Sequence, residues 1–184
     1  MSATASPPDP ARSRLRLCAL PLAVILSIIF LDQLTKWLVV HHLRLYADHA
    51  VIGGCLSLQH VRNYGAAFGF FSRPRWAQQG WILFTVSSLA FIAIALYAWR
   101  LPASKRLARL ALALILGGAI GNLIDRARLG YVVDFVRMYY RQHDWPNYNV
   151  ADSAITVGVS LLLIDMILES RAAATAERLA ERME

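Results

Sequence analysis

Residues 80–99 read GWILFTVSSLAFIAIALYAW and contain no charged side chain. A helix that crosses the hydrocarbon core of a bilayer needs about 20 mostly apolar residues, which is the length of this segment. Within hydrocarbon, backbone N–H and C=O groups must find their partners inside the protein, so a helix is the expected conformation. Residues 80–99 therefore predict a transmembrane helix and place the chain among integral membrane proteins.

Three further apolar blocks, at residues 17–40, 107–125 and 150–169, carry their charges mainly toward their ends. Of the 184 residues, 57% are hydrophobic and only 17% are charged, whereas soluble domains have roughly 25% charged residues. We therefore predict an all-α membrane protein with four transmembrane helices. All of residues 1–184 belong to this one domain, because no segment has the composition of a separate soluble module.

Basic residues indicate which way the helices cross the membrane, since short cytoplasmic connections are enriched in Lys and Arg. They crowd the N-terminal segment and the link between the second and third blocks: Arg12, Arg14, Arg16, Arg100, Lys105, Arg106 and Arg109. Residues 1–16, predicted to be a disordered tail, and the C-terminal tail at 170–184 are therefore both expected in the cytoplasm. The net charge of +7 favours membrane lipids with anionic headgroups as partners, and not nucleic acid, because the basic residues flank apolar blocks.

The connection after the first block is predicted to form a small β-sheet. Residues 51–63 (VIGGCLSLQHVRN) alternate in part between apolar and polar side chains and favour β structure. Gly53 and Gly54 are expected to form a bend between two strands. This sheet would lie on the extracytoplasmic surface of the membrane.

Polar residues gather at that same predicted face, where the first and third spans end and the fourth begins. They are Asp32, Asn63, Asn122, Asp125, Arg126, Asp134, Asn149 and Asp152. A carboxylate at the edge of a membrane segment is costly and usually has a function. Helix caps scattered along the chain would not sort to one side in this way.

Asp134, within YVVDF at 131–135, and Asp152, within YNVADS at 148–153, are the candidate catalytic residues. Two close carboxylates cannot both ionise cheaply, so one can act as a base and the other as an acid toward a water that attacks an amide. Structural alternatives remain open: Asp152 could be only the N-cap of the fourth helix, and Asp134 only a loop carboxylate.

The remaining polar residues are candidates for supporting the site. Asp32 and Lys36 are four residues apart on a helix and can pair, or they can hold the site together. Arg126 and Asn149 could orient the two carboxylates or bind polar groups of a substrate. No cofactor and no metal are predicted, because the histidines lack the spacing of a zinc site.

Five motifs follow one another in order along the four predicted spans. They are LDQLTK (31–36), NYGAAF (63–68), GGAIGNLIDR (117–126), VVDF (132–135) and YNVADSAI (148–155). This set resembles the motifs of lipoprotein signal peptidase, or signal peptidase II, over roughly residues 17–168. The chain has Tyr148 where the family usually has Phe, an exchange of one aromatic ring for another.

The resemblance implies an aspartic endopeptidase of the bacterial plasma (inner) membrane. It would remove the signal peptide from diacylglyceryl-modified prolipoproteins, just before the lipidated cysteine, at the extracytoplasmic face beside a small β-cradle. It implies a catalytic dyad of Asp134 and Asp152, and inhibition by globomycin-type cyclic peptides. Supporting or substrate-contacting roles would belong to Asp32, Lys36, Asn63, Asn122, Arg126 and Asn149.

A small proton-coupled transporter or channel subunit is the alternative from another functional class, because intramembrane carboxylates are typical of such proteins too. A transporter would need a polar path through both leaflets, but the inner half of the predicted spans is nearly all apolar. A purely structural membrane protein with capped helices would leave the one-sided polar cluster unexplained.

Overall fold

The computed structural model describes residues 10–65 and 79–182, so residues 66–68 of the second motif lie outside the described part of the chain. Within that part, the helices are α1 (Pro10–His42), α2 (Gln79–Arg100), α3 (Arg106–Leu129) and α4 (Val150–Glu181). All four contain segments long and apolar enough to cross a membrane. The predicted arrangement of four transmembrane helices is confirmed, and the chain is a multi-pass membrane protein.

The first and last helices extend beyond the predicted spans. Helix α1 begins at Pro10, ahead of the predicted start of the first span at residue 17. Proline is well tolerated in the first turn of a helix, and the Ala, Arg and Leu residues that follow favour helix. Helix α4 continues to Glu181, because the alanine-rich segment after residue 169 has high helix propensity and contains neither Gly nor Pro.

Helix α3 is the central helix and packs against α1, α2 and α4. Its buried face consists largely of alanine and glycine, which lets the neighbouring backbones approach closely. A Cβ atom at Gly118 would lie 2.4 Å from the carbonyl oxygen of Ala151 on α4. One at Gly121 would lie 2.5 Å from Oδ2 of Asp32 on α1. These two glycines therefore set how closely α1 and α4 approach α3.

The sheet is antiparallel, in the order β1 (Asp48–Ile52), β2 (Leu56–Asn63), β3 (Val132–Tyr140) and β4 (His143–Asp144). The predicted strands and glycine bend within residues 51–63 are confirmed, and Gly54 has a positive φ of 84°. Strand β3 was not predicted. Its first four residues are all buried, so they lack the alternation by which a half-buried strand is recognised.

Strand β3 brings the end of α3 close to the start of α4. Helix α3 ends at Leu129, and the left-handed conformation of the capping residue Gly130 (φ 77°) turns the chain into the strand. Val136 and Tyr148 then pair as an isolated antiparallel bridge, with N–H···O distances of 2.9 and 3.1 Å. This bridge places residue 148, and with it the first turn of α4, beside Asp134.

Replacing Gly118 by alanine should destabilise the protein, because the new methyl group would collide with the carbonyl of Ala151, a backbone atom with little freedom to move. Overpacking of this kind costs about 1–3 kcal/mol. We expect a lower thermal unfolding midpoint in detergent for Gly118→Ala. Gly53→Ala is the control, since its Cβ would meet nothing within 4 Å, and equal midpoints for the two variants would contradict the proposed close packing.

Candidate active site

Asp134 lies on β3 and is almost completely buried, with 1% of its surface exposed. Two amide side chains donate hydrogen bonds to its carboxylate. Nδ2 of Asn63 lies 2.8 Å from Oδ2, and Nδ2 of Asn149 lies 2.7 Å from Oδ1. Asp134 is therefore a fixed part of the sheet and not a loop carboxylate.

Asp152 lies in the first turn of α4, three residues after the N-cap residue Asn149. The two residues form a capping box: the N–H of Asp152 bonds to Oδ1 of Asn149 at 2.9 Å, and the N–H of Asn149 bonds to Oδ2 of Asp152 at 3.3 Å. The interpretation of Asp152 as the N-cap itself is therefore wrong. Its Oδ1 accepts a further hydrogen bond from Nδ2 of Asn122 at 2.8 Å.

Asn149 and Asn122 connect the two aspartates. Asn149 is completely buried and binds Asp134 through its side-chain nitrogen and the N–H of Asp152 through its side-chain oxygen. The same nitrogen lies 3.3 Å from Oδ1 of Asn122. The two carboxylates are thus fixed by neutral amide donors, which orient the oxygens without neutralising their charge.

Burial raises the pKa of Asp134 to about 7, and the neighbouring charge of Asp152 acts in the same direction. Hydrogen bonds from Asn63 and Asn149 oppose this rise in pKa by stabilising the ionised form. Near neutral pH Asp134 can therefore hold a proton beside the second carboxyl group, which suits a site where an acid and a base act together.

Arg126 contributes a positive charge close to the pair. It is half-buried near the end of α3, and its charge interacts with those of Asp152 and Asp134. The position of Arg126 therefore suits a cation that limits the repulsion between the two carboxylates.

A second polar layer lies behind Asn122. The ammonium group of Lys36 is 2.8 Å from Oδ2 of Asp32, 2.9 Å from Oδ2 of Asp125 and 3.0 Å from Oδ1 of Asn122. The predicted pairing of Asp32 with Lys36 is confirmed. All these side chains are buried, and Asp32 has no exposed surface.

All eight predicted site residues therefore belong to one cluster. Two further residues belong to it: Asp125, which was predicted to lie at this face but was not proposed as a site residue, and Gln33, which was missed. Asp125 is bound to Lys36, and Nε2 of Gln33 lies 3.2 Å from Asp32 and 3.1 Å from Asp125. Both residues lie within the quoted motifs LDQLTK and GGAIGNLIDR. Gln33 could have been recognised as a candidate site residue because it is a polar residue inside an apolar block.

Comparison with known proteins identifies the family. The family model for signal peptidase (SPase) II matches residues 24–168. The lipoprotein signal peptidase of Geobacter sulfurreducens is 47% identical over 149 residues, which cover 81% of this chain and 92% of that protein. The lipoprotein signal peptidase of Symbiobacterium thermophilum is 44% identical over 153 residues, covering 82% and 97% of the two chains.

Two solved structures share the fold, and both are of bacterial membrane enzymes studied by the in meso method. The first has a TM-score of 0.74 and 28% identity, and the match covers 83% of this chain and 90% of that one. The second has a TM-score of 0.69 and 30% identity, with 80% and 92% covered. Motifs, fold and sequence identity over most of the chain agree, and the chain belongs to the signal peptidase II family of membrane peptidases.

Proposed function

We propose that the protein removes the signal peptide from diacylglyceryl-modified prolipoproteins, using Asp134 and Asp152 as its catalytic dyad. Membership of the signal peptidase II family supports the substrate class. The observation that carries the assignment of the dyad is that Asn149 binds both the carboxylate of Asp134 and the backbone N–H of Asp152. Asp134 is buried and Asp152 is half-buried, and both lie at one end of the helices.

The chemistry follows from one proton shared by two carboxylates. The ionised carboxylate takes a proton from a water molecule, whose oxygen attacks the carbonyl carbon of the scissile amide. The protonated carboxylate gives its proton to the leaving nitrogen, and the C–N bond breaks. The proton taken from water leaves the pair singly protonated again, so no covalent intermediate with the enzyme is required.

The position of the site suits a lipid-modified substrate. A signal peptide is an apolar helix that can enter laterally from the bilayer, and the exposed surfaces of α2 and α4 are apolar. The acyl chains of the modified cysteine would stay among membrane lipids. Family membership also supports inhibition by globomycin-type cyclic peptides, which would compete with the signal peptide for the dyad.

Replacing either catalytic aspartate by asparagine should abolish cleavage, because the amide keeps the size of the side chain but cannot exchange a proton. We expect Asp134→Asn and Asp152→Asn each to lower kcat by at least about 10²-fold, the low end for loss of acid–base catalysis. The measurement is cleavage of a diacylglyceryl-modified prolipoprotein by purified protein in detergent.

Asp165→Asn is the matched control, since Asp165 lies further along the same helix α4, away from the polar cluster. It should cleave as the wild-type protein does. Normal cleavage by a folded Asp134→Asn variant would overturn the assignment of the dyad, and absence of cleavage by the wild-type protein would overturn the proposed substrate.

The pH dependence of cleavage should move when Asn63 is replaced. The wild-type rate should fall as pH rises through about 7, where Asp134 loses its proton. Asn63 stabilises the ionised form of Asp134 through its hydrogen bond, so Asn63→Ala raises the pKa of Asp134. We therefore expect the alkaline limb of kcat/KM to shift to higher pH.

Asn147→Ala is the control for this shift, because Asn147 donates to Gln59 and not to the dyad. Its pH profile should coincide with that of the wild-type protein. An alkaline limb that stays in place in Asn63→Ala, or moves to lower pH, would mean that the hydrogen bond to Asp134 does not stabilise its ionised form.

We also propose that the protein lies in the bacterial plasma (inner) membrane with residues 1–16 and 170–184 in the cytoplasm. The sheet and the dyad would then face the extracytoplasmic side. The basic link between α2 and α3 supports this orientation. A signal peptide is cut after export of the protein that follows it, which also requires the dyad on that side.

Thiol labelling tests the orientation. Cys55 lies between β1 and β2 and is half-exposed, so in a Cys18→Ser background a membrane-impermeant maleimide should label it in intact spheroplasts. With both cysteines replaced by serine, a Ser104→Cys variant in the α2–α3 link should react only after permeabilisation. The reverse pattern would overturn the proposed orientation.

A further inference from the structure

Two aspartates outside the dyad bind the backbone immediately before each dyad aspartate. Oδ2 of Asp125 accepts a hydrogen bond from the N–H of Val133 at 3.1 Å, and Val133 precedes Asp134. Oδ1 of Asp32 accepts a hydrogen bond from the N–H of Ala151 at 3.0 Å, and Ala151 precedes Asp152. A carboxylate from another part of the fold thus holds the backbone N–H of the residue that precedes each dyad aspartate.

The two holding carboxylates are joined to one another by two bridges. Lys36 lies 2.8 Å from Asp32 and 2.9 Å from Asp125. Nε2 of Gln33 lies 3.2 Å from Asp32 and 3.1 Å from Asp125. One cation and one amide therefore close a ring between α1 and α3, and the position of one carboxylate fixes the position of the other.

The surroundings leave this ring little room to move. Asp32, Lys36 and Asp125 are 0%, 3% and 3% exposed. The carboxylate of Asp32 fits against α3 because residue 121 is glycine, where a Cβ would come within 2.5 Å of Oδ2. Gln33 also donates to the carbonyl oxygen of Gly121 at 3.2 Å. Buried polar groups that are fully bonded in this way are rigid.

The position of Ala151 in α4 explains why its backbone N–H bonds to Asp32. Ala151 lies in the first turn, where backbone N–H groups have no acceptor within the helix. Asn149 supplies the acceptor for Asp152, and Asp32 supplies the acceptor for Ala151. A negative charge is also favoured at a helix N-terminus, so Asp32 ties the first turn of α4 to α1.

We propose that Asp32 and Asp125, joined by Lys36 and Gln33, form a backbone clamp that sets the separation of the two dyad carboxylates. In this clamp Gln33 and Asp125 are positioning residues: they act on the dyad through the peptide units of Val133 and Ala151. The inference rests on the proposed function of Asp134 and Asp152.

A positioning role differs from a purely structural one in its kinetic signature. Misplacement of reacting groups by about 1 Å can cost on the order of 10²-fold in rate. Because the clamp lies behind the dyad, its loss should lower kcat while KM stays close to the wild-type value. A loss of folded protein would instead lower the amount of active enzyme and leave the kcat of the active fraction unchanged.

The first experiment compares Gln33→Leu with Gln59→Leu in the prolipoprotein cleavage assay, with active enzyme counted by titration. Gln59 is a partly buried glutamine on β2 that bonds to Asn147 and is not part of the clamp. We expect Gln33→Leu to lower kcat at least about tenfold, within the range for a misplaced group, and Gln59→Leu to leave it unchanged. Wild-type kcat in Gln33→Leu, or a change confined to KM, would overturn the clamp.

Graded substitutions at Asp125 separate its ion pair with Lys36 from its hydrogen bond with Val133. Asp125→Asn keeps an oxygen that can accept from Val133 but loses the charge that binds Lys36, whereas Asp125→Ala loses both. The kcat values should therefore decrease from wild type to Asp125→Asn to Asp125→Ala. Equal kcat values for the two variants would mean that the bond to Val133 does not position the dyad.

Hydrogen exchange tests the clamp without any enzymatic activity. In detergent, the amide of Val133 should exchange faster in Asp125→Ala, and the amide of Ala151 faster in Asp32→Ala. If the wild-type protein did not cleave prolipoprotein, the proposed function would fail and exchange alone would decide the clamp. Faster exchange at these two amides would support the clamp, and unchanged exchange would overturn it.

Discussion

The ion pairs of Lys36 with Asp32 and Asp125 are the interaction on which the rest of the site depends. Two carboxylates from different helices are buried around one ammonium group, and removing one partner of a buried pair leaves an uncompensated charge that costs several kcal/mol. The same ammonium bonds to Asn122, which in turn bonds to Asp152. The cation therefore holds α1 against α3 and also orients the amide that reaches the dyad.

The two polar layers differ in charge: the layer behind the dyad contains Lys36 with Asp32 and Asp125, whereas the dyad itself is bound by asparagines. The supporting aspartates accept backbone hydrogen bonds from Ala151 and Val133, and they have a full cation, Lys36, in contact. The dyad has neutral amides in contact instead, so its carboxylates are oriented while Asp134 keeps a raised pKa. A lysine bonded directly to the dyad would favour the ionised form of both carboxylates and would remove the proton that they share.

Hydropathy predicted the helices because hydrocarbon imposes a length and a composition on each span. Glycines and partial alternation predicted β1 and β2, whereas β3 was missed because its buried start has no alternating pattern. Asp134 and Asp152 were proposed from their positions at the edges of apolar segments, and the motif resemblance implied the same pair. Spacing alone did not reveal the Val136–Tyr148 bridge, which brings the start of α4 beside β3. The contact between Gln33 and Asp125 was not predicted because it requires α1 to pack closely on α3 at Gly121, which residue spacing alone does not reveal.

The polar cluster lies at helix ends, where an apolar substrate and a reaction that needs water can be brought together. An apolar signal peptide is stable in lipid, but hydrolysis needs water and ionisable groups, and backbone N–H donors help to hold the polar side chains of this site. Mid-helix backbone has no such donors, whereas the first turn of α4 offers the amides of Ala151 and Asp152. Only where helices end beside the sheet can carboxylates be bound by backbone and still border the bilayer. A peptidase for membrane-embedded substrates is therefore best built at that boundary, with its supporting charges buried one layer deeper.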